Sequence, residues 1–139
     1  MRRRLTTALG LATLISAATL AIPSPASAGT NCNGGFHCVF YLGFSSARHS
    51  FYDGDRDFRN DRFDEGGVTG RNWIVNDEVW SASNSSSRGY FSYWYEHPEL
   101  QGRTLFCIAP GSQVENLPDG QRDLASSFVL SHNYWPPCY

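Results

Sequence analysis

Tyr95-Glu96-His97-Pro98-Glu99-Leu100-Gln101-Gly102 is followed later in the chain by Arg122-Asp123-Leu124-Ala125-Ser126-Ser127. Pro98 presets a turn angle, and Gly102 accepts a backbone conformation that a Cβ disfavours. The segment therefore reads as a tight hairpin between the aromatic run at 90–95 and the β-branched and apolar run at 103–108. His97 lies in that turn, where a surface role is the default.

Outward from the hairpin the same grammar repeats. After residue 28 no window has apolar residues at helical spacing, and short aromatic or β-branched runs at 36–41, 49–52, 73–75 and 127–130 complete the predicted strands. Asp53-Gly54, Gly66-Gly67, Pro110-Gly111 and Pro118-Asp119-Gly120 punctuate them as turns. An all-β sandwich is the expected class. The run SASNSSS at 81–87 is small and polar and reads as a linker between two halves. The halves share an order of parts, since Phe40-Tyr41 leads to a strand around Phe51 and then to Asn76-Asp77-Glu78-Val79-Trp80-Ser81.

These residues resemble the βγ-crystallins, whose motif is a four-stranded Greek key. Its first hairpin carries an aromatic, four residues, a second aromatic, one residue and Gly, and a later serine packs against that hairpin. Tyr95, Leu100 and Gly102 match, with Leu100 in the second aromatic place, and Ser127 is the later serine. In the first half Tyr41 puts Ser46 and Arg48 in the corresponding places, with Ser81 as the later serine. The resemblance implies two Greek-key motifs, about 32–84 and 88–131, in one domain over 29–139, and a tail at 132–139.

The chain has 139 residues, enough for one domain. Residues 1–28 read as an export signal: Arg2, Arg3 and Arg4, an apolar run from Leu5 to Ile22, and the small-residue cleavage box Ala26-Ser27-Ala28. The remaining 111 residues hold eight arginines, no lysine and 13 acids, a net charge of −5. Nothing basic is left to attract nucleic acid or an anionic membrane. All 20 aromatics lie in this part and supply the core of a small domain. A secreted, extracellular monomer is expected.

Cys32, Cys38, Cys107 and Cys138 are an even set in an exported chain and read as two disulfides. Three pairings are possible. Asn33-Gly34-Gly35 lets Cys32 turn back to Cys38, which favours that bridge and leaves Cys107 with Cys138. In the chain-entropy model the two loops contribute about 2 and about 4 kcal/mol. Solitary Cys107 and Cys138 lack the paired spacing of a zinc site.

Cys32-x5-Cys38-Val39-Phe40-Tyr41 and Ser46-Ala47-Arg48 also resemble the opening of small exported bacterial metalloproteinase inhibitors on this fold. That resemblance implies a peptidase inhibitor whose partner is a secreted zinc metalloendopeptidase, blocked by a rigid loop. The loop would be braced near Cys107-Ile108, but no further Cys follows before Cys138 to close a small ring, so the inhibitory loop is unassigned. A non-inhibitory extracellular module, binding calcium or carbohydrate, is the alternative, and a secreted toxin on the same fold is a third.

Motifs of the crystallin superfamily often bind calcium through a loop of two Asn or Asp, two variable residues, Ser or Thr, and Ser. The implied ligands are Asn76, Asp77 and Ser81 in one loop and Asp123, Ser126 and Ser127 in the other. Trp80 takes a hydroxyl place in the first and Arg122 an acidic place in the second, so the expectation is weak calcium binding and no required cofactor. Residues 53–64 space acids as an EF-hand loop does, but Phe58 stands where Gly is needed and Arg56, Arg59 and Arg62 interleave. His37, His49, His97 and His132 are scattered, no GxSxG elbow occurs, and no catalytic residue is nominated, so the protein is expected not to be an enzyme. The aromatics of 90–95 alternate between both faces of a strand, which favours core over a carbohydrate-stacking surface. Asn84-Ser85-Ser86 fits a glycosylation sequon but reads as linker.

Overall fold

A computed structural model of the protein describes residues 31–139, so the export signal read at 1–28 lies outside the described residues. Eight strands form in chain order: β1 (His37–Phe40), β2 (Ala47–Phe51), β3 (Glu65–Gly66), β4 (Ser81–Asn84), β5 (Phe91–His97), β6 (Gln101–Ile108), β7 (Gln113–Val114) and β8 (Ser127–Ser131). One antiparallel sheet has the order β3-β2-β1-β4-β7 and the other β6-β5-β8.

Each half sends one piece of chain across to the other. β7 leaves the second half and pairs with β4, setting Ala82 against Val114. Asp55 leaves the first half and bridges Phe128 of β8, with Asp55 N–H donating to Phe128 O at 3.1 Å and Phe128 N–H to Asp55 O at 2.7 Å. This exchange is the Greek-key crossover, and it makes two motifs share two sheets. The sandwich of two Greek keys is thus present.

Aromatic rings fill the space between the sheets. Trp94 stacks on Phe128 at 4.4 Å and on Phe106 at 5.6 Å, and Phe51 and Phe58 close the layer from the first half. Trp94, Phe58 and Phe63 are fully buried, and burying such a side chain contributes roughly 1.5–3 kcal/mol. The outer face of β5 is also covered. Tyr93 packs against Trp135 at 4.9 Å, and its hydroxyl donates to Asn133 O at 2.8 Å and accepts from Trp135 N–H at 2.8 Å. The tail is held there by the Cys107–Cys138 disulfide, while Cys32–Cys38 closes the start of the domain.

Two readings of the sequence need correction. The polar run at 81–87 is not a linker in its first half: Ser81 to Asn84 are β4, fully buried between β1 and β7. Small side chains suit this crowded position; Ser81 and Asn84 turn their polar atoms to backbone, while the buried Ser83 hydroxyl finds no partner. Asn84 Nδ2 donates to Tyr90 O at 2.8 Å and Ile108 O at 3.0 Å, and Ser85 Oγ donates to Cys32 O at 3.0 Å. Only from Ser86 onward does the chain reach solvent. The strand expected at 73–75 is reduced to a single bridge of Ile74 with Arg62. Trp73 and Ile74 are exposed and only Val75 enters the core; the chain at 61–63 bonds it on both sides of the bridge, Phe63 N–H donating to Trp73 O at 3.0 Å and Val75 N–H to Asp61 O at 3.1 Å.

Candidate functional site

The two loops suspected of binding calcium meet across the sandwich. Asp77 N–H donates to Ala125 O at 3.0 Å, and Asp123 N–H donates to Val79 O at 2.9 Å. Both aspartates adopt positive φ, 60° and 55°, so the loops are joined by equivalent bonds about a pseudo-twofold axis. Their side-chain chemistry is not equivalent. Ser126 Oγ donates to Asp77 Oδ1 at 3.1 Å, and Asn76 Nδ2 donates to Asp77 Oδ2 at 2.6 Å. At the matching place in the other half Trp80 replaces the hydroxyl, and the Arg122 guanidinium lies 4.0 Å over its ring. Trp80 Nε1 donates to Asn116 Oδ1 at 3.1 Å.

Burial raises the Asp123 carboxyl above its usual range, against the pull of Arg122. Glu78 is raised too, by burial first and then by Asp123 and Asp77. A hard cation needs six to eight oxygens. One carboxylate and one hydroxyl at Asp77 and Ser126, and a guanidinium in the opposite half, fall short of that set.

Ser81 and Ser127, the later serines of the two motifs, serve the backbone instead. Ser127 Oγ donates to His97 O at 2.6 Å and accepts from Leu100 N–H at 3.1 Å. Ser81 Oγ lies between Leu42 O and Glu115 O. In the hairpin that Ser127 fastens, Tyr95 pairs with Thr104, and Glu99, Leu100 and Gly102 all have positive φ, Gly102 at 75°. A Cβ at Gly102 would lie 3.0 Å from the His97 ring.

Residues 53–64 do not form a cation loop. Phe58 is buried in the core, Asp55 Oδ1 accepts from Asp57 N–H at 2.7 Å, and Asp57 is paired with Arg59 at 2.7 Å. Hydrogen bonds from Arg59 lower the Asp57 carboxyl. Burial and Asp55 raise Asp61, whose carboxylate is 3.6 Å from His49. Among the described residues no three His, Cys, Asp or Glu side chains converge as a metal-binding group. The four histidines stay apart from one another in use: His37 is buried, His49 meets Asp61 and Asp64, His97 turns the hairpin, and His132 stacks on Tyr90.

Cys107 and Ile108, near which an inhibitory loop would be braced, are buried in β6. Cys107 is used to tether the tail, so that backbone is closed to a partner.

What the sequence did not point to is the use of arginine as a backbone clamp. Arg48 donates to Asn31 O at 2.7 Å, Arg62 to Asn72 O at 2.8 Å and Arg103 to Gly120 O at 2.9 Å. Arg71 donates to three carbonyls, Asp64 O at 2.7 Å, Gly66 O at 2.5 Å and Gly67 O at 3.3 Å. The eight arginines and absence of lysine after residue 28 are the available signal, because a planar guanidinium with five donors can hold several carbonyls at once where an ammonium presents a point charge.

The fold has a counterpart among solved structures. A chain described as "Evolution of the eye lens beta-gamma-crystallin domain fold" superposes with a TM-score of 0.55 at 17% identity, over 70% of this chain and 86% of that one. No family model and no curated protein matches the sequence. At that identity the likeness speaks for the fold alone.

Proposed function

We propose that this βγ-crystallin-like domain is an exported peptidase inhibitor whose target is a secreted zinc metalloendopeptidase. The observation that carries the reading is the arginine-clamped surface of residues 52–80, irregular backbone held by guanidinium-to-carbonyl bonds on a disulfide-closed frame. Irregular surface chain is usually mobile, whereas a loop fixed before binding has already lost the entropy that a substrate loses in the cleft. The opening that resembles exported metalloproteinase inhibitors supports the target class. Two disulfides fit an oxidising extracellular compartment, and among the described residues no helix is long and apolar enough to cross a membrane.

The test is a titration of the purified oxidised protein against a thermolysin-like zinc endopeptidase, with secreted serine and cysteine peptidases alongside. A stoichiometric loss of zinc endopeptidase activity is expected. Undiminished activity across the whole panel would sink the reading.

A further inference from the structure

Val68 is the most exposed large apolar side chain among the described residues, at 85% of its free surface. An isolated exposed valine is ordinary. The backbone around this one is not, because it is fastened on both sides. Before it, Gly67 N–H donates to Ser46 O at 3.1 Å; after it, Thr69 O accepts from Ala47 N–H at 2.9 Å. Arg71 N–H closes a turn onto Val68 O at 3.2 Å, and the Arg71 side chain holds the carbonyls of Asp64, Gly66 and Gly67.

The glycines hold the chain close to the domain on either side of Val68 and its exposed neighbour Thr69. A Cβ at Gly67 would lie 2.1 Å from Ser45 O, and one at Gly70, where φ is 80°, would lie 2.1 Å from the Tyr41 ring. Backbone at both positions is pressed flat on the domain. The sequence Gly66-Gly67-Val68-Thr69-Gly70 thus presents one branched apolar side chain on a fixed main chain. A turn fixed in this way can place an apolar side chain at its corner into an endopeptidase subsite without a further loss of backbone freedom.

Resting on the inhibitor reading above, we infer that residues 66–70 are the inhibitory loop, that Val68 is its anchor in an apolar subsite, and that Arg71 is the positioning residue keeping the loop intact. Hydrolysis here would add water across a peptide bond and leave a new carboxylate and a new amine. Both ends would remain tied, to Ser46 and Ala47 on one strand edge and to Arg71, so separation of the products is opposed and the uncut form persists.

The experiment compares inhibition constants of the oxidised protein and its variants against the thermolysin-like zinc endopeptidase. Val68→Asp places a charge in the subsite and is expected to weaken inhibition on the order of 100-fold, while Tyr134→Ala, at another exposed apolar side chain, leaves it unchanged. Melting temperatures matching the parent show that the variants are folded. Arg71→Ala is expected to convert the protein into a slow substrate cut within 66–70, read by mass spectrometry of the incubated mixture, and Arg71→Lys restores little. If the parent inhibits and Val68→Asp inhibits equally well, the loop assignment is overturned and the inhibitor reading stands. If the parent inhibits no peptidase, both fall.

Discussion

His37 is fully buried in β1 beside Phe128, and neither ring nitrogen has a hydrogen-bond partner. Burial, and then the Arg88 charge, push its pKa from 6.5 down to about 4, with Asp53 acting weakly the other way. Between those values the unfolded chain binds a proton that the folded chain refuses. Stability is therefore complete above pH 6.5 and falls as pH drops toward 4, by about 3 kcal/mol at the lower end. The raised carboxyls of Asp61, Glu78 and Asp123 act in the opposite sense, since the fold takes up their protons more readily than the unfolded chain does. Urea unfolding from pH 4 to 8 should show the loss, and His37→Phe should remove most of it; a variant with an unchanged pH slope would show that another group is responsible. The sequence placed His37 beside a cysteine and no more. Its burial is set by the strand pairing of β1 with β2 and β4.

At the scale of elements β4 is the informative case. Its composition, Ser81-Ala82-Ser83-Asn84, carries no hydrophobic alternation, and a periodicity argument has nothing to read. What makes it a strand is its neighbours: β1 on one side, β7 on the other, and the Ser81 hydroxyl and Asn84 amide turned to backbone carbonyls. Asn84→Ala would leave the Tyr90 and Ile108 carbonyls and the Ser86 N–H without their partner. A buried group left unsatisfied costs about 1–3 kcal/mol, so chemical denaturation should show a loss of about 3 kcal/mol. Ser87→Ala, only three residues on and exposed, should change stability by less than about 0.5 kcal/mol. Equal effects of the two would restore the linker reading. By contrast the hairpin from β5 to β6 was legible, because Pro98, Gly102 and flanking aromatic strands are local signals of local geometry.

For the whole molecule, the two disulfides bracket the sandwich at its two ends. Cys32–Cys38 closes a short loop at the start, and Cys107–Cys138 ties the tail over the outer face of β5. The longer loop should stabilise more. Replacing Cys107 and Cys138 together by Ser is expected to cost about 4 kcal/mol and the Cys32 and Cys38 pair about 2 kcal/mol, by equilibrium denaturation of each double variant. The first change should also shift tryptophan fluorescence, since Trp135 would leave Tyr93; an unmoved spectrum would mean the tail stays docked without its bridge.

Residue type and short spacing are enough to specify the fold class, the hairpin at 95–102, the bridge chemistry and the aromatic core. Tertiary structure decided the rest. Crossing each motif into the other's sheet buried a polar run as β4, paired Arg122 with Trp80 and Ser126 with Asp77 across the two loops, and laid Arg71 across the carbonyls beneath Val68. Those contacts join residues distant in the chain or backbone groups that no side-chain pattern announces, so their free energy appears only once the two sheets have closed on each other.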